Sequence, residues 1–341
     1  MQKQFPELSL AYMKAMTDSF GLFQHAKFER PNKKTGYALD DNARALIVAI
    51  DFKEYKLAKK YLEFMKFCQA KNGMFHNKIS YRQEKRHAPE TGDCFGRAIW
   101  ACGYAMQSDA PKNIKKACKK IFGKAKRIFP QIDDPKTMSY CLLGCTNYYR
   151  AEKAPKKFLG RQIEKFGKKI LKSFKKNSSE KWRWFENILS YCNAKIPHSL
   201  FEAYSITGNT AFLDTALESF GFLEKKTFMK NCFVPIGQAG WCTPDGFRSF
   251  FDQQPIEAGT MAEAAIAAYN ATKNPRFRKI AVDSFGWFFG KNLTSEVLYN
   301  PKTQGIFDGI AANTINENQG AESILTYLIA GIAIKKTGIK N

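Results

Sequence analysis

The chain has 341 residues, a net charge of +23, 44% hydrophobic residues and 29 Phe. That supply of apolar residues is enough for a large core and excludes a disordered chain. No apolar run approaches the ~20 residues of a membrane helix, so no transmembrane segment is expected.

Cysteine and histidine usage narrows the chemistry further. Nine Cys without close CxxC pairs, and four His scattered at 25, 76, 87 and 198, argue against a zinc site. Neither a metal nor an organic cofactor is expected. The N-terminus, MQKQFPELSLAYMKAM, lacks the basic-then-apolar pattern of a secretory signal. The reducing cytoplasm is therefore the expected compartment.

In chain order, the spacing of apolar residues predicts an amphipathic helix at residues 8–19 and then a repeating alternation. A helix that is apolar nearly all round is followed by one that is apolar on one side. The all-round helices are Asp40–Phe52, Asp93–Met106, Ser139–Tyr149, Ile196–Ile206, Pro255–Ala271 and Gly320–Ile334. The one-sided partners lie near Glu54–Phe67, Lys112–Phe129, Lys156–Phe174, Ala211–Leu223 and Arg276–Phe288. Helices buried all round belong inside, and one-sided helices outside. The sequence thus predicts an all-α (α/α)6 toroid, with residues 1–341 as one domain and the 8–19 helix closing the ring beside the last inner helix. A helical solenoid also repeats helix pairs. Unequal repeat lengths and the displaced first helix favour the closed ring.

Most of the positive charge is local. Residues 111–127 carry eight Lys/Arg and no acid, and residues 153–176 carry ten with one acid. Apolar residues recur between them at three- and four-residue spacing, as in Phe158, Ile163, Phe166, Ile170 and Phe174. That pattern reads as solvated lysine faces of amphipathic helices, serving solubility or loose attraction to an anionic surface. No stacking motif accompanies them, and sequence-specific nucleic-acid binding is not expected.

In a toroid the connections leading into the inner helices face the central cavity. Here they are long, at 21–39, 73–92, 177–195, 231–254 and 292–319, and long irregular loops on a rigid frame tend to be functional. The unusual polar residues gather in them. GYALDDNAR sets Tyr37, Asp40, Asp41 and Arg44 at a helix start, and ETGDCFGR repeats the theme with Asp93 and Arg97. Helix capping is the plainer reading of these acids, with one of Asp40 and Asp41 capping while the other faces the cavity. FDQQPIEAG gives Asp252, Gln253 and Gln254 as candidates for binding hydroxyl groups, ahead of Glu257. Glu322, in NQGAES, reads first as a cap or dipole partner.

The segment WRWFENILSYCNA carries two indoles beside an acid. If extended, Trp182, Trp184 and Glu186 share a face, and indoles with a carboxylate make a plausible sugar subsite. If helical, ordinary packing explains the segment equally well. Tyr191, Asn193 and His198 follow it, Trp241 offers another stacking surface, and His25 stands in the first connection. No nucleophile elbow, Walker loop, HExxH or dinucleotide fingerprint is present.

The segments TDSFGLFQHAKFERPNKKTGYALDDNARALI, ETGDCFGRAIWA, WRWFENILSYCNAKIPHSL, FDQQPIEA and NQGAES resemble a family of prokaryotic (α/α)6 glycosidase-like proteins. Members of that family occur alone or fused to retaining-type glycosyltransferase domains, often near mannoside phosphorylases. The resemblance implies the toroid, a glycan substrate, a functional association with a glycosyltransferase, and mannose-containing glycans as the favoured class. The fold is shared more loosely with inverting glycoside hydrolases and N-acylglucosamine epimerases.

Three functions are weighed on these residues. The first is inverting hydrolysis of an oligosaccharide or polysaccharide by two carboxylates, with Glu186, Glu257 and Asp41 as candidates. The second is a sugar epimerase in which His25 and His198 move the proton. The third is a non-catalytic glycan-binding partner of a glycosyltransferase.

Overall fold

The computed structural model describes residues 5–338. Among them run α1 (Ala11–Ala15), α2 (Leu39–Asp51), α3 (Tyr55–Cys68), α4 (Asp93–Gln107), α5 (Lys112–Ala125), α6 (Pro135–Arg150), α7 (Lys156–Asn177), α8 (Lys195–Thr207), α9 (Thr210–Thr227), α10 (Pro255–Thr272), α11 (Arg276–Phe285) and α12 (Ala321–Lys336). The even-numbered helices form the inner layer. Each packs on the next, from α2 through α4, α6, α8 and α10 to α12, and α12 packs back on α2. The ring is closed, and the architecture is an (α/α)6 toroid.

Residue type explains the layering. In α10 every residue from Pro255 to Ala268 is buried, and in α12 nearly every residue from Ala321 to Ile332. Helices with no polar stripe cannot face water and are driven inside. In α7 only Leu159, Ile163, Phe166, Gly167, Ile170 and Phe174 are buried, a single face. Between α4 and α6 glycine sets the spacing, because a Cβ on Gly103 would fall inside the backbone of Gly144. Just after α5, Phe129 meets Phe166 of α7 at 5.3 Å and Lys126 lies 4.9 Å over Phe158. All nine cysteines are free and buried. No described helix is long and apolar enough to cross a membrane.

Several boundaries differ from expectation, α5 ending four residues early at Ala125 and α9 running four residues late to Thr227. The 8–19 helix is reduced to the single turn α1, which still packs against α12. Local side-chain bonds end it: Thr17 Oγ1 donates to Met13 O, and Asp18 Oδ1 accepts from the N–H groups of Phe20 and Gly21. In the other direction, α6 begins four residues before Ser139. Asp134 accepts from Thr137 N at 2.7 Å as N-cap, and Pro135 occupies the first helical position.

The inward connections carry five two-stranded antiparallel ladders of two residues each among the described residues. One of them pairs Tyr37–Ala38 with Lys78–Ile79 and so fixes the chain just before α2. The outward connections are short. The long loops therefore collect at one mouth, around the N-termini of the inner helices.

Candidate active site at the N-terminal mouth

Asp40, Asp41, Asp93 and Glu322, at the starts of α2, α4 and α12, are not caps. The N-cap of α2 is Ala38, with Asn77 Oδ1 accepting from the N–H groups of Leu39 at 3.1 Å and Asp40 at 3.4 Å. Gly92 precedes α4 with no side-chain cap. At α12 the capping work falls to Asp308, which accepts from Gly320 N and Ser323 Oγ, both at 2.6 Å. Asp40, Asp41, Asp93 and Glu322 are thus free for another role. The capping expectation fails because neighbouring loops supply the acceptors, which local sequence does not reveal.

Those four acids converge on two guanidinium groups. Arg44 Nη2 holds Asp41 Oδ1 at 2.7 Å and Glu322 Oε2 at 3.2 Å. Arg97 holds Asp40 at 2.8 Å and lies 3.6 Å from Asp93 and 3.9 Å from Glu322. Both arginines are buried, whereas the Glu322 side chain is 40% exposed and opens to the mouth. Within this network Asp40 Oδ1, Asp93 Oδ2 and Arg97 Nε are buried and hydrogen-bond to no other described atom. Buried polar atoms are nearly always partnered, so an unspent cluster beneath the N-terminal mouth suits a polar ligand.

The surroundings push the two consecutive aspartates apart. Burial alone would raise the Asp40 carboxyl, but Arg97 and Arg44 outweigh it and hold it below its ordinary pKa. Burial, and then the charge of Asp40, push Asp41 up to about 7 despite Arg44. Burial also raises Asp93 and Asp308.

Glu257, on the first turn of α10, is buried and reaches across to the start of α8. It accepts from the backbone N–H of Cys192 and from Asn193 Nδ2, the latter at 3.1 Å. Burial pushes it up to about 7 against those two bonds. Cys192 also receives Arg97 Nη2 and meets Tyr140 OH, each at 3.4 Å, which ties Glu257 to the arginine network. Asn193 is fully buried and also bonds both the N–H and the carbonyl of Ser190. It shapes the turn rather than offering polar atoms to a ligand.

The tryptophan segment is neither strand nor helix. It runs as successive bends, and its indoles turn away from the mouth. Trp182 lies 5.2 Å from Phe222 on outer helix α9, Trp184 lies 5.2 Å from Phe185, and both indoles are buried. They have no open ring face for a sugar, which corrects the stacking expectation. The cause is a hydrophobic gap between α7 and α9 that the two indoles fill. Glu186 does stay near the mouth, where Lys136 Nζ holds it at 2.8 Å. Lys136 also lies 5.1 Å over the ring of Tyr191, which is 39% exposed, and Trp241 stands 6.4 Å beyond Tyr191. Tyr191 and Trp241 are the aromatic surfaces on this wall.

Further expected site residues are displaced. Gln253 is fully buried and holds Trp287 Nε1 at 2.9 Å and Phe250 O at 3.0 Å, so its amide is consumed inside the protein. Gln254 bonds Gln238 and Asp252 is exposed at the rim. Tyr37 is buried, with its hydroxyl on Asp18 and its ring stacked on Phe23. His198 lines a cavity at the opposite mouth. His25 is exposed above the carboxylates. Its imidazole sits below the ordinary pKa because partial burial and Lys78 outweigh Asp308, Glu322 and Asp40.

Asp308, Lys136 and Tyr140 were not singled out from sequence. Asp134-Pro135 marks the start of α6 and places Lys136 in its first turn, a signal that was available. Nothing local distinguishes Asp308. Among the described residues no group of three or more His, Cys, Asp or Glu is placed to hold a metal ion.

No protein-family model and no curated protein matches the sequence. Solved structures do match. A sugar epimerase from a ruminal bacterium superimposes with a TM-score of 0.72 at 11% identity, covering 97% of this chain and 96% of its own. A D-mannose isomerase gives 0.73 at 13% identity, covering 96% and 95%. A GH76 alpha-mannanase from Bacteroides thetaiotaomicron gives 0.65 at 12% identity, covering 96% and 94%. At such identities the likeness establishes the fold alone, a six-hairpin toroid over nearly the whole chain.

Proposed function

We propose that this chain is a carbohydrate-active enzyme, and that it hydrolyses a glycosidic bond at the N-terminal mouth with Asp40 and Asp41. The observation that carries this reading is the opposed setting of the two residues. Asp40 is held ionised by Arg97 at 2.8 Å, while buried Asp41 keeps its proton to about pH 7. Paired carboxyls driven to opposite protonation states mark acid and base roles. Asp41 then protonates the departing glycosidic oxygen, and Asp40 meets the anomeric carbon or activates the water that does.

Spacing bears on the stereochemistry. Asp41 Oδ1 and Glu322 Oε2 share one guanidinium nitrogen, through bonds of 2.7 and 3.2 Å. Asp40 is bonded to the neighbouring guanidinium. Retaining enzymes set their two carboxyls ~5–5.5 Å apart, whereas inverting enzymes leave ~6.5–9.5 Å for the attacking water. The inversion expected from sequence is tested by the anomer that appears first. Glu257 and Glu186 become positioning residues, the first shaping the α8 start and the second fixing Lys136 under Tyr191. The wall formed by Tyr191 and Trp241 offers ring faces to sugars.

The likeness to an epimerase and a mannose isomerase keeps a proton-transfer reading in play, and exposed His25 above Glu322 is the observation that favours it. The pair of histidines that this reading began from is not assembled, because His198 lies at the other mouth. Mannose-containing glycans and an associated glycosyltransferase are the partners suggested by the sequence resemblance.

The test is hydrolysis of a panel of manno- and gluco-oligosaccharides by wild type, Asp40→Asn, Asp41→Asn and His25→Ala. The expected result is loss of turnover in both Asp variants with glycan binding retained, and little change in the His variant. Interconversion of free sugars that fails only in His25→Ala would replace hydrolysis by isomerisation. Binding without turnover in any form would leave a glycan-binding protein.

A further inference from the structure

A cavity opens at the C-terminal ends of the inner helices. Its volume is about 540 Å³, within the ~300–1,000 Å³ typical of small-molecule sites. All six inner helices line it, among them through Asp51 of α2, Gln107 of α4, Asn147 of α6, His198 of α8, Asn270 of α10 and Lys336 of α12. The barrel axis between the two mouths is blocked by a buried ion pair, Lys195 Nζ to Glu263 Oε2 at 2.7 Å, with Lys195 also 4.3 Å over Trp100. Glu263 and Trp100 form part of the lower cavity's wall, so that cavity is separate from the proposed active site.

Three properties define what the cavity would accept. Its charges are balanced in pairs, Lys336 with Asp51 and Arg150 with Glu202, and Glu263 is answered by Lys195. A ligand of net charge finds no unpaired partner there. Apolar and aromatic surface from Trp100, Phe201, Ile266 and Ile329 alternates with amides from Gln107, Asn147 and Asn270. Lastly, His198 Nδ1 is buried with no hydrogen-bond partner among the described residues. Burial, then Lys195 and Arg150, hold that imidazole well below its ordinary pKa, so it meets a ligand uncharged.

We infer that this lower cavity is a second binding site, for an uncharged, hydroxyl-rich molecule of mono- or disaccharide size, stacked on the aromatic wall and bonded to His198 and the three amides. The inference does not depend on which reaction runs at the upper mouth. Trp100 ties the two ends together, because it borders the lower cavity and supports the Lys195 plug.

The experiment uses the full chain labelled with 5-fluorotryptophan, with the Trp100 resonance assigned through Trp100→Phe. D-mannose, cellobiose and maltose are titrated separately to millimolar concentration. The expected result is a saturable shift of the Trp100 signal with at least one sugar. Ala333→Phe and Ser205→Phe, which narrow the lower opening, erase the shift, whereas Glu322→Gln at the upper mouth leaves it. Ser205 is exposed at the rim, so its variant tests the idea even where Ala333→Phe disturbs folding. No shift with any of the three sugars overturns the inference. So does a shift that survives both lower variants, or one that only Glu322→Gln removes.

Discussion

Replacing Glu257 by Gln should change how stability depends on pH, in a direction the structure fixes. The carboxyl is buried and stands at about 7 against an ordinary 4.5. Between those two values the folded protein holds a proton that the unfolded chain has lost. Raising the pH therefore favours unfolding, and the contribution is complete below about 4.5 and gone once pH passes about 7. The separation corresponds to about 3 kcal/mol, at ~1.4 kcal/mol per pH unit. Gln cannot titrate, and its amide cannot accept from both Cys192 N–H and Asn193 Nδ2. One buried donor is left unpaired, costing about 1–3 kcal/mol. The assay is urea unfolding of both proteins from pH 5 to 8, read as the difference in midpoint at equal slope. The variant should be the less stable form at pH 5, and the gap should close as pH rises to 8. Parallel profiles across that range would refute a buried, proton-holding Glu257.

Other perturbations separate packing from binding. Trp184→Ala should cost about 3–5 kcal/mol of stability, as for other buried aromatics, and leave glycan affinity of the folded protein unchanged. Tyr191→Ala should do the reverse, weakening glycan binding in calorimetric titration while the unfolding midpoint barely moves. Lys195→Met strands Glu263 in the interior and should cost about 3–5 kcal/mol, most of it recovered in Lys195→Met/Glu263→Leu. Turnover, measured as kcat/KM, should fall as pH rises through about 7 because Asp41 loses the proton it must donate.

The toroid was legible because it rests on periodicity. Helices such as α10 and α12 are apolar all round, lysine-studded helices such as α7 are not, and that contrast alone sorts the two layers. The gathering of candidate site residues at one mouth was legible from the length of the inward connections. What failed depended on partners distant in sequence. Asp40, Asp41 and Glu322 read as caps until Asn77 and Asp308 are seen doing that work from other loops. Trp182 and Trp184 read as sugar platforms until Phe222, some forty residues on, is found against them. Gln253 looks like a rim residue because nothing nearby announces Trp287. His198 follows a promising segment, but three residues into α8 the helix has already carried it past the Lys195 plug and toward the other mouth.

In the proposed reaction Asp40 and Asp41 together cleave a glycosidic bond at the N-terminal mouth. Its most direct test follows wild-type hydrolysis of a manno-oligosaccharide by proton NMR from the first minutes, before mutarotation blurs the products. New reducing ends should appear in wild type, the first anomer showing whether configuration is inverted, and Asp41→Asn should give none. No new reducing ends from wild type, or undiminished cleavage by Asp41→Asn, would contradict the assignment.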